Sequence, residues 1–174
     1  MNNYSEIYIA GGCYWGTEHF LKQINGIIST KVGFANGKTD DPTYEDVCKK
    51  DTGFAETVKV IYDANVAPLS FILKLYFLTI DPTSVNKQGE DVGDQYRTGV
   101  YYTNTEDRVI IEKEIEKLSL KYTSPITIEV EPLTIFVEAT KEHQDYLDKN
   151  PTGYCHVNPK MFKIAKEAKP EDFD

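Results

Sequence analysis

At 174 residues, 40% of them hydrophobic and 27% charged, the chain has the composition of a soluble globular protein and the length for one domain with a real core. A formal net charge of −9 argues against a nucleic-acid partner held through its phosphates, and no apolar run nears the ~18–20 residues that cross a bilayer. Three cysteines at 13, 48 and 155, none in a CxxC pair, fit neither a secreted disulfide framework nor a four-ligand zinc site; with no secretory signal, a reducing cytoplasmic location is expected.

The chain opens on a short apolar run, Ile7 to Ala10, of the length and content of a buried strand. Two glycines and Cys13 follow, and from Trp15 onward Phe20, Leu21 and Ile24 recur at helical spacing. Strand, Gly-Gly and helix together set a thiol at a helix N-terminus beside a tight turn. Free backbone N–H groups there favour an anion and are expected to lower the thiol's pKa. A buried structural cysteine is the plainer reading, but the glycine pair and the helix start favour a nucleophile.

Gly26 ends that helix, and Ile27 to Phe34 reads as a second strand. Residues 35–43 are a loop, and Thr43 can cap a short helix carrying Tyr44 and Cys48. Glu56 to Tyr62 alternates as a third strand, with Val58, Val60 and Tyr62 on one parity. Glu56 shares that parity, so its carboxyl either lies on the apolar face and holds its proton tightly, or sits in water just outside the strand. Beside a nucleophile, a neutral carboxylic acid is a plausible proton donor.

Leu69, Ile72, Leu73, Tyr76, Phe77 and Ile80 predict a core helix after Pro68, with Tyr76 serving packing only. Residues 83–97 form a long polar loop holding Asp91 and Tyr96, of a size usually functional or mobile. A strand over 98–103, an amphipathic helix through Ile111, Ile115, Leu118 and Tyr122, a strand over 126–130 and an edge segment over 133–137 come next. A helix is expected over 140–148, carrying His143, Gln144 and Tyr146. Asn150, Pro151 and Gly153 then release Tyr154, Cys155 and His156 into a flexible segment from about residue 150. No repeat or linker divides the chain, so residues 1–174 are read as one domain. Its element order suggests an α/β fold, an α+β two-layer sandwich built on a ferredoxin-like split βαβ sheet.

Five ordered blocks carry a family resemblance: GGCYWGTE at 11–18, PTYEDVC at 42–48, GFAETV at 53–58, NKQGEDVGDQYRTGVYY at 86–102 and HQDYLDKNPTGYC at 143–155. The chain resembles the A-type peptide methionine sulfoxide reductases across most of its length. The resemblance implies Cys13 as nucleophile, Tyr14 and Trp15 as the apolar wall for the substrate methyl, and Glu56 as acid. It implies Tyr44 and Tyr96 as ligands of the sulfoxide oxygen, Asp91 as a supporting acid and Cys155 as the recycling cysteine. It also implies a methionine-S-sulfoxide substrate, free or in oxidised proteins, and a Cys13 sulfenic acid resolved as a Cys13–Cys155 disulfide. No metal or other cofactor is implied, with thioredoxin or dithiothreitol as reductant. A monomer is expected, and Cys48 is taken as structural.

There are departures from the family's pattern. Tyr14 stands where phenylalanine is usual, while Phe54 and Ile80 replace common histidines, which leaves the acid's surroundings more apolar. The residue types suit the chemistry. A thiolate attacking sulfoxide sulfur needs the oxygen hydrogen-bonded and protonated, and two phenols with one neutral carboxylic acid are suitable donors in an apolar pocket. Two rivals are weighed against this: a cysteine hydrolase using His19, His143 or His156 as base, and a redox-sensing domain whose thiol only oxidises.

Overall fold

The computed structural model describes residues 4–37 and 53–173. Its sheet begins with three strands of the expected kinds: β1 (Ser5–Ala10), β2 (Ile27–Ala35) and β3 (Ala55–Tyr62). Helix α1 (Tyr14–Leu21) links β1 to β2, and α2 (Leu69–Phe77) links β3 towards β6 (Gly99–Tyr102). Between α2 and β6 lie the two-residue strands β4 (Lys87–Gln88) and β5 (Asp91–Val92), paired as a hairpin, and a 3-10 turn at Asp94–Tyr96. Helix α3 (Thr105–Ser119) crosses from β6 to its parallel neighbour β7 (Glu129–Pro132), and β8 (Phe136–Glu138) pairs with the far edge.

Six strands form one sheet in the order β7-β6-β1-β3-β2-β8. Its central four, β6-β1-β3-β2, pair antiparallel throughout, because β3 inserts between β1 and β2, the two strands joined by α1. This is the split βαβ arrangement the element order suggests. Period-two alternation sets the two faces. Ile7, Ile9, Val58, Val60, Val32 and Phe34 bury under the helices with Phe20, Leu21, Ile72 and Leu73. On the other face Tyr8, Ala10, Ala35, Ala55 and Tyr101 make a smaller cluster with Leu133 and Phe136. Small residues there let the 133–136 segment lie close over the sheet.

Three expectations shift in detail. The long loop after α2 contains the β4–β5 hairpin and the 94–96 turn. The strand expected at 126–130 forms instead as β7, whose register is set by the parallel ladder from Gly99–Glu129 to Tyr102–Pro132. The single helix expected over 140–148 is broken into a 3-10 turn (Lys141–His143) and the short α4 (Tyr146–Lys149). Long-range polar bonds are the cause. The Gln144 side chain behaves like one more strand residue, accepting from Val32 N at 2.8 Å and donating to Val32 O at 2.8 Å. Asp145, at φ 53, turns its N–H to the Glu18 carboxylate at 2.9 Å. A regular helix would leave those buried groups without partners. A final helix, α5 (Lys160–Glu167), packs back against α1.

Candidate active site

Cys13 is the N-cap residue of α1, with φ −60 and ψ 126, and it follows Gly12, whose φ of +85 makes the turn from β1. The last residue of β1 is tied from the opposite layer: Tyr76 Oη donates to the Ala10 carbonyl at 2.5 Å. Tyr76 therefore does more than pack. Its fully buried phenol ties α2 to the strand end from which the thiol projects.

Sheet register brings the acid to the thiol. Ala10 lies opposite Thr57, so Glu56, one residue earlier on β3, falls beside the turn after β1. Its parity with Val58 and Val60 directs the side chain to the helix-covered face, where it is 1% exposed. There the Tyr14 N–H, in the first turn of α1, donates to Glu56 Oε1 at 3.1 Å. Of the two readings of Glu56 open at the level of sequence, the buried one holds. Burial drives its pKa up to about 8, and the Asp91 charge adds to this, while the Tyr14 N–H and the Gln95 amide pull the other way. Glu56 Oε2 is buried without a hydrogen-bond partner among the described residues.

For the thiol the expected direction is reversed. Cys13 is 6% exposed, and burial pushes its pKa well above that of a free cysteine, reinforced by the charge of Glu56. The Trp15 N–H at the helix start favours the thiolate, as the dipole argument requires, but it is outweighed. At rest the site thus holds both protons, one on sulfur and one on the carboxyl.

The remaining candidates arrive on separate elements. Asp91 on β5 accepts from Tyr154 Oη at 2.7 Å, and its other oxygen is buried without a partner among the described residues. Its charge acts on Cys13, Glu56, Tyr154 and Cys155 alike. Tyr96 is half-buried on the 94–96 turn, which packs against β3. Tyr14 is 1% exposed, with its ring 5.7 Å from Phe34 and 5.8 Å from His143. Trp15 is half-buried and stacks on Tyr146, centroids 3.7 Å apart, while its indole N–H donates to His143 Nδ1 at 3.2 Å. Tyr44 and Cys48 lie outside the described residues.

Cys155 reaches the same helix end from the C-terminal side. The chain that delivers it is anchored first by Gln144 on β2 and by Lys22, which pairs with Asp145 and, at 2.6 Å, with Asp148. Cys155 Sγ then lies 3.0 Å from the point a Cβ on Gly16 would occupy, and both it and Cys13 are free thiols. Gln95 and Tyr154 are neighbours that sequence reasoning did not place in the site, and it weighed His156 only as a base of the rival hydrolase reading. The signal available for them was weak: each adjoins a singled-out residue, Tyr96 or Cys155. Of the histidines considered as bases, His19 is drawn to Asp148 at 3.5 Å and His143 accepts from Trp15, so neither is directed at Cys13. Among the described residues no group of three or more His, Cys, Asp or Glu could hold a metal, and no helix is long and apolar enough to cross a membrane.

Comparison with known proteins finds relatives over most of the chain. The sequence model of the family described as peptide methionine sulfoxide reductase matches residues 5–172. The chain is 55% identical over 162 residues, 93% of its own length and 98% of the relative's, to the peptide methionine sulfoxide reductase MsrA of Lachnoclostridium phytofermentans. It is 52% identical over 152 residues, 87% of this chain and 97% of the relative, to the MsrA of Clostridium perfringens strain 13. Among solved structures, Mxr1 of Saccharomyces cerevisiae in reduced form superposes with a TM-score of 0.84 at 38% identity, over 89% of this chain and 91% of that one. Mxr1 has also been solved in complex with Trx2, where the TM-score is 0.60 at 27% identity over 82% of this chain and 84% of that one.

Proposed function

The chain belongs to the peptide methionine sulfoxide reductase family, MsrA type, and is an oxidoreductase that reduces methionine sulfoxide; from that premise we propose that Cys13 takes the oxygen while Glu56 supplies the proton. The observation that carries this reading is the 3.1 Å bond from the Tyr14 N–H to Glu56, which ties this buried carboxyl to the residue after the thiol.

The substrate sulfoxide enters with its methyl against Trp15 and Tyr14, and its oxygen accepts hydrogen bonds from the Glu56 carboxyl, Tyr96 and Tyr44. Donors aimed at that oxygen matter most where water is excluded. As the Cys13 sulfur attacks the substrate sulfur, the S–O bond breaks and the Glu56 proton goes to the oxygen. The thiol proton replaces it on the carboxyl, and the hydroxyl passes to the Cys13 sulfur as the S–S bond formed in the attack breaks with its electron pair on the thioether. Thiol and sulfoxide thereby become sulfenic acid and thioether, with two electrons leaving the Cys13 sulfur. Substrate is needed to bring the thiol to its thiolate, since the resting site favours the neutral form. A carboxyl with a pKa of about 8 is mostly protonated at neutral pH and can play the donor.

Cys155 then condenses with the sulfenic acid to a disulfide, and a dithiol protein such as thioredoxin restores both thiols; the Mxr1–Trx2 complex supports a partner of that kind. We read residues 1–174 as one catalytic domain acting as a monomer in the cytoplasm, on the S epimer of free and protein-bound methionine sulfoxide, with no resident cofactor. The test is epimer-resolved methionine release by wild type and Cys13→Ser. Loss of all release from the serine variant is expected, and multiple turnover by it would remove Cys13 from the role.

A further inference from the structure

We infer that His156 is the base of the resolving step: its imidazole, seated in a notch between Gly12 and Gly16, takes the proton from Cys155 and passes it to the departing hydroxide. This rests on the reading of Cys155 as the resolving thiol and adds a residue to it.

The seat comes first. A Cβ on Gly12 would lie 2.8 Å from His156 Nε2, and one on Gly16 would lie 3.0 Å from His156 Nδ1. The ring therefore occupies space that exists only because both positions of the Gly-Cys-Tyr-Trp-Gly run are glycine. Any side chain at either would push the ring out. Cys155 Sγ is also 3.0 Å from the Gly16 point, so sulfur and Nδ1 stand within 6.0 Å of each other on the same helix end. Cys155 Sγ now points to the Val157 carbonyl at 3.4 Å, a weak contact that the imidazole replaces in this proposal.

The second observation is chemical. Both ring nitrogens are buried and neither has a hydrogen-bond partner among the described residues, while the nearby Gly11 backbone favours the protonated ring. A buried polar group without a partner is costly, on the order of 1–3 kcal/mol, and such groups in native proteins call for a reason. Burial keeps the ring neutral at rest, with the Asp91 charge opposing that effect. Burial likewise keeps Cys155 a thiol, so attack on the sulfenic acid requires a proton acceptor. Among the described residues, the titratable groups around the ring are Cys13 from α1, Asp91 from β5, and Tyr154 and Cys155 from its own segment, with Glu56 of β3 behind Cys13. None of the others is a neutral base: two are thiols, one a phenol, one a protonated acid, and Asp91 already accepts from Tyr154.

The step balances without an outside reagent. Cys155 loses its proton to His156, its sulfur forms the S–S bond to Cys13, and the Cys13 S–O bond breaks with its electron pair on hydroxide. The imidazolium returns the proton, giving water. Imidazolium beside Asp91 is also the form the neighbouring charge stabilises while the hydroxide leaves.

The experiment uses fully reduced enzyme and a methionine sulfoxide substrate with no external reductant. Methionine, free thiols and the dimedone adduct of the Cys13 sulfenic acid are followed against time from about pH 5 to 9. His156→Gln is expected to release about one methionine per chain but to close the disulfide about 10²-fold more slowly, with dimedone-reactive Cys13 accumulating. Its rate should lose the fall that protonation of the ring causes at pH below the ordinary imidazole value of 6.5, and added imidazole should restore the rate in His156→Ala. Disulfide closure within twofold of wild type, or a slowing that keeps the wild-type pH profile and resists imidazole, would overturn the assignment. Cys155→Ser separates the two failures. If that variant still loses two thiols per chain, the resolving role of Cys155 falls; if it does not, and the His156 variants behave as wild type, only His156 falls.

Discussion

Glu56→Gln should leave the protein more stable and much less active, and the two effects share one cause. In the unfolded chain the carboxyl titrates near its ordinary value of 4.5, whereas in the folded protein burial raises it to about 8. Between these values the folded state binds a proton that the unfolded state does not, so stability falls as pH rises from 4.5 and levels off above the folded pKa. At 1.36 kcal/mol per pH unit, the 2.5 units from 4.5 to 7 amount to about 3 kcal/mol of destabilisation at pH 7. Glutamine cannot ionise and retains an oxygen for the Tyr14 N–H at the Oε1 position. It should therefore recover most of that amount at pH 7, raising Tm by about 6–12 °C for a chain of this size, and little or nothing at pH 4. Paired urea melts of wild type and variant at the two pH values, with thiols kept reduced, measure the difference directly. Removing the proton donor should at the same time slow methionine release about 10²–10³-fold. A variant equally displaced from wild type at pH 4 and pH 7, or less stable at both, would show that the carboxyl is not held protonated in the folded protein.

Other outcomes follow from the same geometry. Cys155→Ser should release about one methionine per chain in the absence of reductant and then stall with thioredoxin, as product counting would reveal; unchanged thioredoxin-driven turnover would point to another resolving thiol. Wild-type methionine release should decline as pH rises through about 8, where Glu56 loses its proton, in single-turnover rates that exclude the recycling step. Tyr76→Phe removes the donor to the Ala10 carbonyl and should cost about 1–3 kcal/mol in denaturant melts, with a smaller loss of activity as the strand end bearing the thiol loosens. Gln144→Leu strips three bonds from Val32 and Ala139 and should cost about 3 kcal/mol, with earlier proteolytic cleavage after residue 140 than in wild type.

Much of this protein can be read along the chain because the informative patterns are local. The run from Ile7 to Leu21 spells strand, glycine turn and helix through periods of two and 3.6, and the thiol's place at the helix start follows from that alone. Parity in β3 offered Glu56 the core side, and the start of the strand at Ala55 decided it against the alternative of water. Neighbours from far along the chain decided the rest. Whether the thiol at a helix N-terminus is ionised depends on how deeply it is buried and on Glu56 and Asp91, so the local dipole lost to desolvation. The break at Gln144 depends on Val32 more than a hundred residues away, and no helical periodicity could anticipate it. His156 against Gly12 and Gly16 is the same kind of fact, because a glycine's missing side chain becomes a site only when another segment comes to fill it. Backbone periodicity is a property of a dozen residues; proton affinity and shape complementarity are sums over everything within a few ångströms, and only the folded chain assembles that company.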